Sequence, residues 1–469
     1  MSEYFSLSDC DVIGFDLDHT LCRYHLKETS RLIYDSFARY LVEHKGYDKD
    51  LLNLTPATWD FCFKGLVVDL EDGNLVKLAE DGTVLRATHG TSELSTEEII
   101  KHYGSKREWK HFNNLNTSFT RSAKYYFYDN YFDLPGAFLC GRVVDMLVLI
   151  LNIILFCQQH GNEVNSDFWK DMIAAIEHNY NTSAFKEDAG TYFPSVKRDP
   201  SRYLQTCSDS VKSWLRSMKN AGKVLLLITS SHSDYCRLVC EHILGKDFEE
   251  LFDIIITNAL KPGFFSLVPH QRPFRTLVND TEDSEGLLSL DKPGWYSQGN
   301  WPHLRELLQT MTGKSEPKVV YFGDSMRSDI FPGSSFGKWE TVMIVEEMEG
   351  EGVPKSDAAM SNEAQVEPLE KKGKFEDQGM KAPSAVSQQW GSYFVDVHKS
   401  GGRDEEHQKM TWCCYCIHKY STMAIPSVEH IADLPLDYKF PRFSPDKPCT
   451  TGYYPRPPDS LLKWCECLS

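Results

Sequence analysis

Residues 12–16, 224–229, 252–257 and 319–322 are short, nearly continuous apolar runs rich in Val, Ile, Leu and Phe, and 341–345 is a fifth of the same kind. A strand covered on both faces needs no polar alternation, so these runs predict buried parallel strands. Between them the apolar period changes. Val211, Trp214, Leu215 and Met218 follow helical spacing and stop before Gly222; Leu304, Leu307, Leu308 and Met311 repeat it between Pro302 and Gly313. Such spacing lays one apolar stripe along a helix, with proline suited to the first turn and glycine to the left-handed stop. Strands alternating with helices predict an α/β fold with a doubly wound, mostly parallel sheet.

Roughly two hundred residues separate the first strand from the second, far more than a crossover needs. The expectation is a core of residues 1–24 and 196–348 interrupted by a large α+β domain over 25–195. That insertion opens with a helix carrying Ile33, Phe37, Tyr40, Leu41 and His44 on one face. Val/Leu-rich strands then flank two turn signals, Asp72-Gly73 and Asp81-Gly82. From about Tyr125 to Tyr180 the insertion is aromatic and helical. Its most apolar stretch, 143–157, falls short of the roughly 20 residues a membrane span needs and contains Asp145 and Asn152, so a buried helix is expected. Residues 349–389 are polar and read as a disordered linker, and 390–469 regain Trp, Tyr, Ile and Pro as an extension packed on the core.

Charge narrows the function. There are 50 basic and 67 acidic residues, a net −17 with histidines neutral. This field repels phosphate backbones and argues against a nucleic-acid surface, while a small anion can bind where local cations prevail. The start of the chain lacks a basic, apolar leader pattern, no span is expected, and a cytoplasmic location follows. The 14 cysteines are then expected to be mostly reduced thiols. Cys413, Cys414, Cys416 and His418, with Cys449, Cys465 and Cys467, are too irregularly spaced to favour zinc.

Reactive groups follow each strand at the edge where doubly wound sheets bind ligands. The first strand runs into Asp16-Leu17-Asp18-His19-Thr20, which starts two carboxylates on one side of an extended chain. A carboxylate can attack phosphorus, and a second can protonate the leaving oxygen and later activate water. Thr229-Ser230-Ser231 follows the second strand, with hydroxyl and N–H groups able to hold phosphate oxygens. Lys261 follows the third, and Gly323-Asp324 through Asp329 follow the fourth. Asp324 is the hard oxygen ligand that Mg²⁺ requires, and Asp329 can orient the ion's surroundings from behind. Each group alone reads as well as a turn, a cap or a solvated lysine. Their order, each directly after a buried strand, points to one site. Asp16, Asp324 and a phosphate dianion repel one another, so Mg²⁺ and Lys261 must supply positive charge. His19 is expected to pack rather than react. The aromatic run Tyr125, Tyr126, Phe127, Tyr128, Tyr131 and Phe132 is expected to be mainly core, although such rings can stack a base.

With Asp16-Leu17-Asp18-His19-Thr20, Thr229, Lys261 and Gly323-Asp324 through Asp329, the chain resembles the haloacid dehalogenase superfamily. Lys64-Gly65-Leu66-Val67-Val68-Asp69, Gly73-Asn74-Leu75, His89-Gly90, Phe132-Asp133-Leu134-Pro135 and Lys261-Pro262-Gly263-Phe264-Phe265 narrow this to the cytosolic purine 5′-nucleotidase branch. The resemblance covers roughly residues 5–346 and makes the insertion a cap over a haloacid dehalogenase-like core. It implies Asp16 as nucleophile and metal ligand, Asp18 as acid/base with its backbone carbonyl on Mg²⁺, Asp324 as metal ligand, and Thr229, Ser230 and Lys261 as phosphate-binding groups. It also implies a small, nucleotide-like phosphate ester as substrate, with homo-oligomerisation open. Departures concern the base. An asparagine of the branch is absent from Thr229-Ser230-Ser231-His232-Ser233-Asp234-Tyr235, and Asp133 stands where the branch has an amide. Ile173 and Glu177 align with an arginine and an aspartate of its cap helix. Phe132, Asp133 and Glu177 are accordingly the substrate-contact candidates, and two alternatives stay open: a phosphatase of a non-nucleotide metabolite, or a weakly active scaffold keeping the fold.

Overall fold

The computed structural model describes residues 2–54, 58–157, 168–356, 386–399, 406–446 and 451–469. In chain order the elements that position the site begin with β1 (Val12–Phe15) and α1 (Leu26–Lys45). Next come β2 (Val67–Asp69), β3 (Asn74–Leu78), β4 (Val84–His89), β5 (Ser92–Glu93) and β6 (Tyr125–Phe127). Helices α2 (Pro135–Cys157), α3 (Phe168–Tyr180) and α4 (Asp209–Asn220) lead to β7 (Val224–Ile228), α5 (Ser233–Leu244) and β8 (Ile254–Thr257). Then follow β9 (Phe274–Arg275), β10 (Gly294–Gln298), α6 (Trp301–Thr312), β11 (Val319–Gly323) and β12 (Glu340–Ile344). The C-terminal part adds β13 (Val395–Lys399), β14 (Glu406–Met410), α7 (Trp412–Tyr420) and β15 (Met423–Ile425).

All five apolar runs become strands of one eight-stranded sheet, ordered β9-β10-β8-β7-β1-β11-β12-β15. Every pairing is parallel except that of the edge strand β9 with β10. From β1 the chain builds outward through β7, β8 and β10, then crosses to β11 and builds the other way. That reversal leaves a crevice at the carboxyl ends of the strands beside β1. Phe15 stands opposite Leu227 on one side and Phe322 on the other, so the residues just past all three strands share one edge. The helices cap as the sequence indicates: Asn300 accepts the His303 N–H at 2.9 Å, and Gly313 ends α6 at φ +68.

A second, five-stranded antiparallel sheet, ordered β5-β4-β3-β2-β6, forms from residues between β1 and β7. Its Asp-Gly turns hold Gly73 at φ +72 and Gly82 at φ +86. The chain leaves and re-enters the main sheet side by side, where Arg23–Tyr24 pairs antiparallel with Leu204–Gln205.

Three regions differ from expectation. Helix α2 forms over the apolar stretch, with Val143 and Val144 buried but Val148, Leu149 and Ile150 exposed to solvent. The helix packs on α1, α3 and the second sheet. Among the described residues, no helix is long and apolar enough to cross a membrane. The expected linker starts within a helical turn, Glu346–Glu351, whose Glu349 pairs with Arg23 at 3.3 Å just after Glu346 does so at 2.8 Å. At its other end the Gln388 and Gln389 N–H groups donate to the Asp60 carboxylate. The rest of the expected linker, 357–385, lies outside the described residues. Finally, the C-terminal segment joins both sheets. It contributes β15 to the main sheet, while Asp396 pairs with Lys77 and Arg86 of the second, each at 2.9 Å. Buried Lys77 also donates to the Trp390 and Ser392 carbonyls at 2.6 Å, which satisfies an ammonium far from water.

Candidate active site

The parallel ladder places Asp16. Its N–H donates to the Phe322 carbonyl at 2.8 Å, and its Oδ1 accepts from the Leu17 N–H at 2.8 Å. Asp324 follows the neighbouring strand β11. Asp329 returns from the helical turn Met326–Ile330, which Ser325 caps by accepting the Ser328 N–H at 3.0 Å. Gly323 makes this return feasible, because a Cβ there would stand 2.4 Å from the Asp329 Cβ. As a result, one carboxylate oxygen from each of Asp16, Asp324 and Asp329 lies within 4.8 Å of the other two.

Lys261 enters from the loop after β8. Its Nζ lies 2.9 Å from Asp16 Oδ1 and 2.6 Å from Asp329 Oδ1, and it donates to the Ile228 carbonyl at 3.0 Å and the Tyr321 hydroxyl at 2.8 Å. Burial opposes its charge, but Asp16 and Asp329 outweigh burial and leave its pKa raised. Burial and the Asp16 carboxylate push Asp324 well above the usual carboxylate range. The same two causes, against the pull of Lys261, move Asp329 up to about 6. Negative charge among these three carboxylates thus outweighs the Lys261 ammonium that pairs with them. A hard divalent cation such as Mg²⁺ would suit it, since Asp16 and Asp324 would offer it the carboxylate oxygens it prefers and Asp329 stands behind them.

Asp18 sits beside this group with both oxygens engaged. Oδ1 accepts the Tyr24 hydroxyl at 2.5 Å and Oδ2 the Ser231 hydroxyl at 2.7 Å. Burial raises its pKa, the two hydroxyls opposing, which favours a carboxyl that can carry a proton. The Thr229 hydroxyl accepts the Ser231 N–H at 3.1 Å, and exposed Ser230 accepts the Lys261 N–H at 3.1 Å, tying the loops after β7 and β8 together. Thr229, Ser230 and Lys261 therefore share the edge with Asp16.

One contributor goes unread at the sequence level. Lys64, just ahead of β2, donates to the Asp324 carbonyl at 3.0 Å and lies 4.0 Å from Glu347. It is a second buried cation at the site, and its position at the head of the 64–69 run is the signal that could have found it. His19 packs as expected. Its ring lies 4.5 Å from Tyr24, 5.0 Å from Tyr131 and 5.1 Å from Phe132, and burial with Lys64 holds its pKa down to about 3.

The substrate candidates part company. Phe132 joins the wall formed by His19 and Tyr24. Asp133 is buried and takes the Tyr126 hydroxyl, while Glu177 is exposed on α3 and has no side-chain hydrogen bond or ion pair among the described residues. Tyr125, Tyr126, Tyr128 and Tyr131 are buried, a core use of that run. On α7, Cys414 Sγ lies 3.9 Å from His418 Nε2, and Cys449 lies outside the described residues. Burial pushes Asp133 up to about 7, the Tyr126 hydroxyl opposing. The folded state thus prefers its protonated form. That contribution to stability is complete below pH about 4 and is lost as pH rises through 7. Asp133→Asn, which fixes a neutral side chain, should gain roughly 2–3 kcal/mol over the parent on going from pH 5 to pH 8. Urea melts at the two pH values check this; an unchanged difference would contradict it.

A model of the 5' nucleotidase family matches residues 1–411. The chain is 61% identical over 458 residues to 5'-nucleotidase domain-containing protein 1 of Homo sapiens, covering 98% of this chain and 97% of that protein. Its similarity to the Bos taurus protein of the same name is 60% over the same length and coverage. Against 5'-nucleotidase domain-containing protein 2 of Homo sapiens it is 28% identical over 359 residues, 74% of this chain and 62% of that protein.

Proposed function

The chain belongs to the 5' nucleotidase family of phosphoric monoester hydrolases, and we propose that it hydrolyses a small, nucleotide-like phosphate ester with Mg²⁺ through an aspartyl-phosphate on Asp16. The observation that carries this is the convergence of Asp16, Asp324 and Asp329 within 4.8 Å beside Lys261. In this reading Asp16, Asp324 and the Asp18 carbonyl hold the ion, and Asp329 orients it. Bound Mg²⁺ offsets the charge of the carboxylates and of the phosphate oxygens. Lys261, Thr229 and Ser230 bind the phosphate. Asp16 attacks phosphorus as the ester P–O bond breaks, and Asp18 gives its proton to the departing alkoxide. Asp18 then takes a proton from water as that water attacks phosphorus; the bond to Asp16 breaks and inorganic phosphate leaves. Residues 25–195 serve as a cap that excludes water, a reading supported by Lys64 and Phe132, which approach the site from it.

A second reading has its own observation. Asp133 is committed to Tyr126 and Glu177 faces outward, so no base-reading set is assembled, which favours a non-nucleotide ester. A Mg²⁺-supplemented panel of nucleoside 5′-monophosphates, sugar phosphates and other small esters separates the two. The leading reading expects a nucleotide to exceed every sugar phosphate in kcat/KM by at least about tenfold. Equal rates would favour the second reading, and no turnover of any ester would favour a scaffold.

A further inference from the structure

Three tyrosine hydroxyls run in a line to Asp18. Tyr24 donates to Asp18 Oδ1 at 2.5 Å, the Tyr24 and Tyr235 hydroxyls are 2.7 Å apart, and those of Tyr235 and Tyr192 are 3.0 Å apart. All three side chains are buried. A phenol has one proton to donate, and the Tyr24 hydroxyl directs its own to an oxygen of Asp18. With the Tyr24 hydroxyl donating to Asp18, Tyr235 must donate to Tyr24, and Tyr192 to Tyr235. The chain therefore has one polarity, ending on the carboxylate.

The three members come from three places. Tyr24 lies in the strand pair with Leu204–Gln205, where the chain crosses between the main sheet and the inserted residues. Tyr235 is on α5, directly after the phosphate-side loop. Tyr192 opens the helix Tyr192–Arg198 within the insertion, and its ring meets Phe132 at 6.0 Å and Tyr180 at 5.2 Å. Ser231 holds the other Asp18 oxygen, so the carboxylate has no oxygen left to turn freely.

We propose that Tyr24, Tyr235 and Tyr192 are positioning residues that aim Asp18 at the leaving oxygen and link that aim to how the insertion sits against the main sheet. None touches the reacting atoms. The proposal rests on the reading of Asp18 as acid/base, and its test separates the two. An alkoxide leaving group needs a proton in the transition state, whereas p-nitrophenolate needs little help. The full chain with Mg²⁺ is compared in single turnover on a nucleoside 5′-monophosphate and on p-nitrophenyl phosphate.

Tyr24→Phe should slow phosphoryl transfer from the nucleotide by about 10- to 100-fold, and from p-nitrophenyl phosphate by less than about threefold. Tyr192→Phe, which leaves both Asp18 contacts in place and serves if Tyr24→Phe does not fold, should show the same selectivity at smaller size. Combining them should be no worse than Tyr24→Phe alone, as expected of one connected chain. Equal slowing of both esters, or independent addition of the two effects, would overturn the proposal. Asp18→Asn is the control. Should it transfer phosphate from the nucleotide at the parent rate, the acid/base reading itself fails. Should it be selective while the tyrosine variants are not, only the tyrosine chain fails.

Discussion

Asp16→Asn is expected to fold and yet lose turnover by at least about a thousandfold. The amide that replaces the carboxylate is neutral and a poor nucleophile toward phosphorus, so the covalent step has no substitute. Stability should move the other way. Asp16 contributes to the upward shifts of both Asp324 and Asp329, and its removal relieves that repulsion while Lys261 keeps Asp329 as a partner at 2.6 Å. A melting temperature at or above that of the parent, measured without Mg²⁺ beside a steady-state phosphatase assay, is the expected pair of results. Retained turnover would remove Asp16 from the reaction.

Lys261→Met should do the reverse to stability. The ammonium is almost wholly buried and lies within 3.0 Å of both Asp16 and Asp329. Deleting one partner of a buried ion pair strands the other charge, at a cost of about 3–5 kcal/mol. Denaturant melts should register that loss, and Mg²⁺ should recover part of it, because a cation at the same carboxylates replaces the missing charge. Adding Asp16→Asn to Lys261→Met should also recover part, since one stranded carboxylate is then gone. A Lys261→Met protein as stable as its parent would mean that the carboxylates are already neutral.

The strands that build the crevice were legible because they are covered on both faces, which leaves unbroken apolar runs that end abruptly in Asp16, Thr229, Lys261 and Asp324. The outer strands of the same sheet were not. Strand β10 reads Gly-Trp-Tyr-Ser-Gln and is only half-buried, and β15 contributes three residues, so neither carries a periodic signal. Lys64 is invisible to local reasoning for a different reason. Its partner is a backbone carbonyl 260 positions away, and only the tertiary fold brings the segment ahead of β2 to the end of β11. Asp133 and Glu177 entered by resemblance alone; no physical feature of their surroundings pointed to a substrate, and their environments, one sealed by Tyr126 and one facing water, explain why. Residues 349–351 fall in the polar stretch that reads as linker, because the Arg23 that pairs with Glu349 lies more than three hundred residues earlier.

The covalent step is the claim on which the rest depends. Protein turning over a phosphate ester with Mg²⁺ can be quenched in acid, digested, and its peptides weighed. A phosphate adduct on the peptide carrying Asp16, absent without substrate, is the predicted result. Continued turnover with no adduct there, or an adduct on a different residue, would contradict it.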